Sequence, residues 1–147
     1  MDSNASFPFV SPKGKPVKKQ NFSRKRQAIL EAIHSTCTHP TAEWIYQTLK
    51  PQFPDLSLGT VYRNISSFKE QGLVVRVATV NGQERLDGNL SPHSHFICDQ
   101  CGAVVDILED LINASADRKV TEQYGVCVTS HEVLFHGLCS ACSQKSC

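Results

Sequence analysis

The chain has 147 residues, of which 40% are hydrophobic, a size that fits one domain or two small ones. It has no apolar run of about 18 residues that would span a membrane and no apolar signal core in residues 1–20, so we expect a cytoplasmic protein. Residues 1–80 carry 11 Lys and Arg against 5 Asp and Glu, whereas residues 81–147 carry 4 against 9, so a net charge of +1 conceals a basic front half and an acidic back half. The basic half favours a polyanionic partner over a merely uneven surface.

The N-terminal part of the chain predicts a flexible arm and three helices. The arm covers residues 1–20, and its lysines either contact phosphates or are simply solvated. Ser23, Thr41 and Ser57 are suitable N-caps, because a hydroxyl can accept a hydrogen bond from a free backbone amide of the first turn. The predicted helices end near Ser35, Lys50 and Gln71, the last of them closed by Gly72.

The third predicted helix has two contrasting faces. Its apolar stripe consists of Leu58, Val61, Ile65 and Phe68. The opposite face is small, polar and aromatic, with a single arginine, whereas an ordinary surface helix would carry more Glu and Lys. We therefore predict a recognition helix that enters the major groove of double-stranded DNA. Its predicted DNA contacts are Ser57, Gly59, Thr60, Tyr62, Arg63 and Asn64.

A β-hairpin follows, with strands over residues 74–80 and 84–86 and Asn81-Gly82 as a type I′ turn. Three helices and a hairpin predict a winged-helix domain over residues 21–87. The turn-rich segment 88–92 is the predicted hinge. Residues 93–147 then predict a small α/β domain with strands at 95–99, 104–108 and 126–138 and a helix at 109–124. The predicted fold class is therefore α+β, and the second domain has so little core that zinc and self-association would both help it fold.

Four cysteines in two C-x-x-C pairs form the strongest local signal. A reduced cytosolic chain favours metal binding over disulfides, and four thiolates close a tetrahedral zinc site with no open position, which is the structural kind. The predicted zinc ligands are Cys98, Cys101, Cys139 and Cys142. The other three cysteines have no such partner. We interpret Cys37 and Cys127 as small packing residues and Cys147 as a terminal thiol.

A second candidate metal site lies next to the first C-x-x-C pair. His93 and His95 point the same way if their segment is extended, and Asp106 interrupts an apolar run with a charge that needs a partner if it is buried. With His39 and Asp87 they make a set of three imidazoles and two carboxylates, which suits Fe(II) or Mn(II). The plainer interpretation is that these are unrelated surface residues.

At these residues the chain resembles the ferric uptake regulator (Fur) superfamily, and most closely its peroxide-sensing (PerR) branch, over residues 22–142. The resemblance rests on His39-Pro40-Thr41-Ala42-Glu43-x-Ile45-Tyr46, Ser57-x-x-Thr60-Val61-Tyr62-Arg63-Asn64, Arg85-Leu86-Asp87, His93-x-His95-x-x-Cys98-x-x-Cys101-Gly102 and Val105-Asp106. It implies a homodimeric winged-helix repressor that dimerises through its C-terminal domain. It also implies a regulatory metal on His39, Asp87, His93, His95 and Asp106.

The resemblance further implies that peroxide reacts with bound Fe(II) and oxidises a ligand, His39 or His93. Asp87 is the branch-specific position, where iron sensors have Glu. Two departures stand out. An additional site of the family would fall on Pro92, Ser94, Asn113 and His131, of which only His131 can ligate, so we expect that site to be absent. At the start of the DNA-binding domain, the Thr-x-Gln-Arg motif that is usual in the family is replaced by Ser23-Arg24-Lys25-Arg26. The final arginine is kept, and Arg26 is therefore a further predicted DNA contact.

Three other functions compete with a peroxide-sensing repressor. The closest is a Fur-type uptake repressor that senses iron, zinc or manganese itself. An Fe(II) oxygenase also uses two histidines and a carboxylate, but no substrate or cosubstrate motif is visible, so we expect a regulator and no enzyme. A zinc-stapled interaction module without DNA binding is disfavoured by the basic front half and by the outer face of the third helix.

Overall fold

The computed structural model describes residues 23–109, 111 and 114–144. The predicted arm over residues 1–20 lies outside the described residues, as do Asn113 and Cys147. The helices are α1 (Arg24–His34), α2 (Ala42–Leu49), α3 (Leu58–Glu70), α4 (Ala114–Tyr124) and α5 (Ser140–Ser143). The strands are β1 (Val75–Val80), β2 (Gln83–Asp87), β3 (Ser94–Cys98), β4 (Val104–Ile107) and β5 (Leu134–Gly137). Among the described helices, none has the length and apolar character needed to cross a bilayer.

The first three helices begin where the hydroxyl residues predicted them. The side chains of Ser23, Thr41 and Ser57 each accept a hydrogen bond from the backbone amide three residues later, at 3.1 Å in each case. The third helix ends before Gly72, whose φ of 69° is the left-handed conformation expected there. The three predicted N-caps are therefore confirmed.

The helices enclose one apolar core. Twelve buried residues between Ile29 and Leu86 form a single cluster to which α1, α2, α3 and both hairpin strands or their flanks contribute. Within α3, Val61, Ile65 and Phe68 are buried as predicted, while Leu58 is half-buried. Leu56, just before the helix, is buried instead. This core fixes the orientation of α3, so its opposite face is available to a partner.

Strands β1 and β2 form the predicted hairpin. Asn81 and Gly82 have φ values of 51° and 77°, as a type I′ turn requires. The strands pair antiparallel from Val80–Gln83 to Val75–Asp87, with a register shift between Arg76 and Ala78. Three helices and this hairpin make the winged-helix arrangement, and the mixed α and β fold class is confirmed.

The second sheet has the strand order β4-β3-β5, with β3 antiparallel to β4 and parallel to β5. The strand predicted over residues 126–138 is wrong in extent, because only Leu134–Gly137 is strand. The parallel ladder begins at His95–Leu134, close to the start of β3, and the Val133 carbonyl oxygen still accepts from the His95 amide at 3.2 Å. Residues 126–132 have no partner strand among the described residues. The helix predicted from Glu109 begins only at Ala114, and Ile112 lies outside the described residues.

Candidate metal centres and recognition helix

The four predicted zinc ligands come together in the structure. Cys98 ends β3, Cys101 lies in the turn after it, Cys139 follows β5 and Cys142 lies in α5; one sulfur atom from each lies within 4.8 Å of all the others. Cys101 Sγ and Cys139 Sγ are 3.7 Å apart. A tetrahedron with Zn–S bonds of about 2.3 Å has an edge of about 3.8 Å, so this spacing fits a closed zinc site.

Backbone amides donate hydrogen bonds that stabilise negative charge on Cys98 in this cysteine cluster. The amide of Cys139 donates to Cys98 Sγ at 3.3 Å. Backbone hydrogen bonds from Cys101 and Cys139 lower the pKa of Cys98 to about 6, whereas side-chain hydrogen bonding to Cys139 raises the pKa of Cys142 to about 12. The pKa values of these two thiols are therefore shifted in opposite directions. A divalent metal would stabilise all four sulfurs as thiolates.

The second predicted metal site also assembles. The five residues of this His/Asp cluster are His39, Asp87, His93, His95 and Asp106, and their donor atoms lie within 4.8 Å of one another. Asp106 Oδ1 lies 2.8 Å, 3.2 Å and 3.3 Å from the Nε2 atoms of the three imidazoles in chain order. Asp87 Oδ2 lies 3.5 Å, 3.0 Å and 3.1 Å from the same atoms.

Local structure brings these five side chains to one point. His39 lies in the loop before α2, and Asp87 is the last residue of β2. His95 pairs directly with Asp106 across β3 and β4, so their side chains project from the same face of the sheet. His93 immediately precedes β3, and its Nδ1 is 2.6 Å from the carbonyl oxygen of Ser91. The cluster thus joins the helical half of the chain to the second sheet.

The titration of the cluster reflects its burial and its opposite charges. Burial alone would raise the pKa of Asp87, but the Asn89 amide, a hydrogen bond to His95 and the neighbouring imidazoles together lower it. For His93, burial acts to lower the pKa, and the Ser91 carbonyl with the two carboxylates raises it overall. Burial lowers the pKa of His95. Within this one cluster the pKa values of His93 and His95 are therefore shifted in opposite directions.

A divalent cation fits this donor set. His39 is 2% exposed, and its Nδ1 is buried without a hydrogen-bond partner among the described residues. The Nε2 atom of this imidazole lies 2.8 Å from Asp106 Oδ1, so a nitrogen lone pair and a carboxylate oxygen are close enough to bind the same cation. Metal–ligand bonds of about 2.0–2.2 Å place opposite donors roughly 4.0–4.4 Å apart. That separation is within the observed limit of 4.8 Å.

The outer face of α3 carries the predicted DNA contacts. Tyr62 is 47% exposed, and its hydroxyl donates to the Glu43 carboxylate at 2.6 Å, which raises the pKa of Tyr62. Arg63 is exposed and donates to Thr60 Oγ1 at 3.0 Å. Gly59 and Ser57 are exposed, and Asn64 is half-buried. The face therefore presents an arginine and a phenol ring near the N-terminus of the helix.

Arg26 differs from the other predicted DNA contacts because it is only 7% exposed. Its Nη1 donates to Asn64 Oδ1 and Ser67 Oγ, both at 3.2 Å, and its guanidinium lies 4.4 Å from the centre of the Phe68 ring. Arg26 thus holds α1 against α3 and orients Asn64. Burial of this residue could not be foreseen from the basic run in which it lies.

Four further residues have surroundings that the sequence did not predict. Cys37 and Cys127 are exposed, so their prediction as packing residues is wrong; both lie outside the helices and strands. His131, the remaining candidate of the additional site, has its Nδ1 2.8 Å from the Asp117 carboxylate. Arg85 lies in the Arg85-Leu86-Asp87 motif, in which the sequence suggested no role for the arginine. Its guanidinium donates hydrogen bonds to three backbone carbonyl oxygens.

Comparison with known proteins places the chain among metal-dependent regulators. The sequence model of the ferric uptake regulator family matches residues 18–136. A peroxide-responsive repressor, PerR of Staphylococcus aureus strain USA300, is 39% identical over 121 residues, which cover 82% of this chain and 81% of that protein.

Two solved structures have a fold similar to that of this chain. The Campylobacter jejuni peroxide stress regulator is 28% identical with a TM-score of 0.68, covering 80% of this chain and 88% of its own. The Vibrio cholerae ferric uptake regulator, whose crystal structure reveals a rearrangement of its DNA-binding domains, is 28% identical with a TM-score of 0.65, covering 80% and 90%.

Proposed function

The chain belongs to the ferric uptake regulator family, and from that premise we propose that it is a homodimeric, metal-dependent transcriptional repressor that responds to peroxide. Its relatives are a repressor and regulators, so the proposal is a regulator and not an enzyme. The observation that carries it is the His/Asp cluster, because its five donors come from both halves of the chain.

The first step is the link between metal and DNA binding. A cation held by His39 and Asp87 together with His93, His95 and Asp106 fixes the orientation of the winged helix relative to the second sheet, across the proposed hinge at 88–92. Moving a population from 1:99 to 99:1 needs a differential affinity of about 5.5 kcal/mol. A divalent metal is strong enough, since structural zinc contributes roughly 10–16 kcal/mol in small domains. The donor set suits Fe(II) or Mn(II).

The second step is DNA recognition by α3. The exposed arginine and phenol near the start of this helix, Arg63 and Tyr62, are suited to reach base edges or phosphates in the major groove of an operator. Ser57, Gly59, Thr60 and Asn64 complete the proposed surface. Arg26 supports that surface from behind through Asn64.

The third step is dimerisation through the second sheet. Of the thirteen large apolar side chains that the described residues leave exposed, nine lie at or beyond Val105. Strand β5 is an edge of its sheet, so its outer side offers unpaired backbone groups. A second copy of the chain would cover both. Zinc on the cysteine cluster would hold β5 beside β3, because Cys139 follows one strand and Cys98 ends the other.

The fourth step is the response to peroxide. When bound, Fe(II) supplies the one-electron reduction of peroxide that Mn(II) does not readily perform. The imidazole ring carbons lie beside the donor atoms and are the nearest oxidisable groups, and the resemblance to the family implies that His39 or His93 is the ring modified. In the net reaction one ring C–H becomes C–O and peroxide leaves as water, so the ring gains one oxygen and loses two electrons. The altered ring no longer ligates, and the link to the winged helix is released.

A metal-sensing uptake repressor is the alternative, and the similarity to the Vibrio cholerae ferric uptake regulator favours it. DNA binding separates the two. Duplexes selected from a random library with the Mn(II)-loaded protein serve as the operator probe. Under our proposal Fe(II) and Mn(II) both support binding, and peroxide releases only the Fe(II) form. Binding that follows metal supply but survives peroxide in both forms would support the alternative.

A further inference from the structure

Arg85 lies on β2, two residues before Asp87, and its side chain joins two distant segments of backbone. Its Nε donates to the carbonyl oxygen of His39 at 2.6 Å, and its Nη2 donates to that of Thr38 at 2.6 Å. Its Nη1 donates to the carbonyl oxygen of Gly102 at 2.8 Å. One planar guanidinium therefore satisfies carbonyls from the loop before α2 and from the turn of the cysteine cluster.

The first segment is the backbone of a metal-ligand candidate. His39 has a φ of 56°, a left-handed conformation that is uncommon for a residue other than glycine. A residue before a proline is restricted further, so this backbone requires support from its surroundings. Arg85 supplies two hydrogen bonds, and the neighbouring Leu86 amide donates to the Pro40 carbonyl at 3.1 Å. Strand β2 thus holds the backbone around His39 in place.

The second segment is the turn that carries Cys101. Gly102 follows it with a φ of 72°, and its amide donates to the Cys98 carbonyl at 2.9 Å. A Cβ added at Gly102 would lie 2.9 Å from Val80 Cγ1. Only glycine therefore allows this turn to approach the tip of the hairpin so closely. Through Arg85, the position of the cysteine cluster is tied to the backbone that presents His39.

We propose that Arg85 is a positioning residue through which the Cys98–Gly102 turn holds His39 ready for the regulatory cation, an inference that rests on the proposed function of the His/Asp cluster. The loop that carries His39 is then already ordered in the metal-free protein, so cation binding does not have to order it. Lysine keeps the positive charge but offers a single ammonium in place of a planar fork, so it cannot hold both segments at once.

The test compares Arg85→Lys with Arg76→Lys as a matched control. Arg76 lies on the partner strand of the same hairpin and donates only to Thr79 Oγ1 among the hydrogen bonds of the described residues, at 3.2 Å. We measure Mn(II) affinity, the visible spectrum of Co(II) in the His/Asp cluster and hydrogen exchange of residues 36–41 in the metal-free protein, all with zinc retained.

We expect Arg85→Lys to weaken Mn(II) binding by about tenfold or more, as loss of an outer partner of a metal ligand typically does. Its Co(II) spectrum should shift towards that of His39→Ala, and exchange of residues 36–41 should accelerate. Arg76→Lys should match the wild type. Unchanged affinity and spectrum in Arg85→Lys would overturn the inference.

A general loss of structure would overturn it as well, so the zinc content and the unfolded fraction of each variant are also measured. If Arg85→Lys loses zinc and its Mn(II) binding falls only in proportion to the unfolded fraction, Arg85 is merely structural. If the wild-type protein itself binds no Mn(II) at the His/Asp cluster, the proposed function fails first. These two results are distinguished by the wild-type titration alone.

Discussion

Cys139→Ser should separate the folding of the two halves of the chain. The substitution removes one thiolate from a closed four-sulfur site, which has no spare ligand to replace it. Cys139 also lies two residues after the end of β5, the strand that pairs with β3 through a four-residue parallel ladder. Loss of zinc therefore removes the attachment of that strand. We expect the variant to retain no zinc.

The expected extent of unfolding follows from the number of buried apolar residues in each half of the chain. Twelve buried residues form the cluster between Ile29 and Leu86. Beyond it, the buried apolar residues among those described are only Ile97 and Val104 besides two cysteines of the cluster. Two such side chains contribute about 3–6 kcal/mol, less than the roughly 10–16 kcal/mol that structural zinc contributes in small domains. The second sheet should thus unfold while the helical half remains folded.

Zinc content, calorimetry and sedimentation measure this directly. The wild type should contain one zinc per chain and sediment as a dimer, whereas Cys139→Ser should lack zinc, sediment as a monomer and keep one thermal transition from the helical half. Cys127→Ser is the matched control, because Cys127 is exposed and lies outside the cluster. A zinc-free Cys139→Ser protein that remains a fully folded dimer would refute the reasoning.

Three more variants test the DNA surface and the regulatory site. Arg63→Ala should weaken operator binding without changing metal affinity. The loss is about 1–3 kcal/mol if the arginine contacts a base, whereas loss of a phosphate contact mainly reduces the salt dependence of binding. Tyr62→Phe should also weaken operator binding, and the charge-matched Arg118→Ala on α4 should not. Equal binding by wild type, Arg63→Ala and Tyr62→Phe would show that α3 does not face DNA. Asp87→Glu should keep Mn(II)-dependent DNA binding but blunt the peroxide response, because the longer carboxylate changes the coordination left open to peroxide; release by peroxide at the wild-type rate would contradict that role.

Local chemistry made much of the N-terminal half predictable. Ser57 and Gly72 specify where α3 begins and ends through backbone hydrogen bonds and a left-handed φ, both of which depend on neighbouring residues only. Asn81-Gly82 specifies the hairpin turn in the same way. The C-x-x-C spacing likewise identified the cysteine cluster, because each pair by itself is a metal-binding turn.

What the sequence did not predict depends on distant partners. The extent of β5 is set by where β3 begins, and the burial of Arg26 by the approach of Asn64 and Phe68 on another helix. The three carbonyls on Arg85 come from residues 38, 39 and 102, whose proximity is a property of the fold alone. The His/Asp cluster was identified partly by resemblance, since spacing places only His93 and His95 together.

Peptide mass spectrometry after peroxide treatment tests the central claim most directly. The zinc-loaded protein is charged with Fe(II) or with Mn(II), exposed to a small excess of peroxide and digested, and the zinc released is measured in parallel. The account predicts one added oxygen on His39 or His93 in the Fe(II) form, no modification in the Mn(II) form and zinc retained in both. Oxygen or a disulfide on the cysteines, or zinc release before any histidine is modified, would identify a thiol switch and contradict the account.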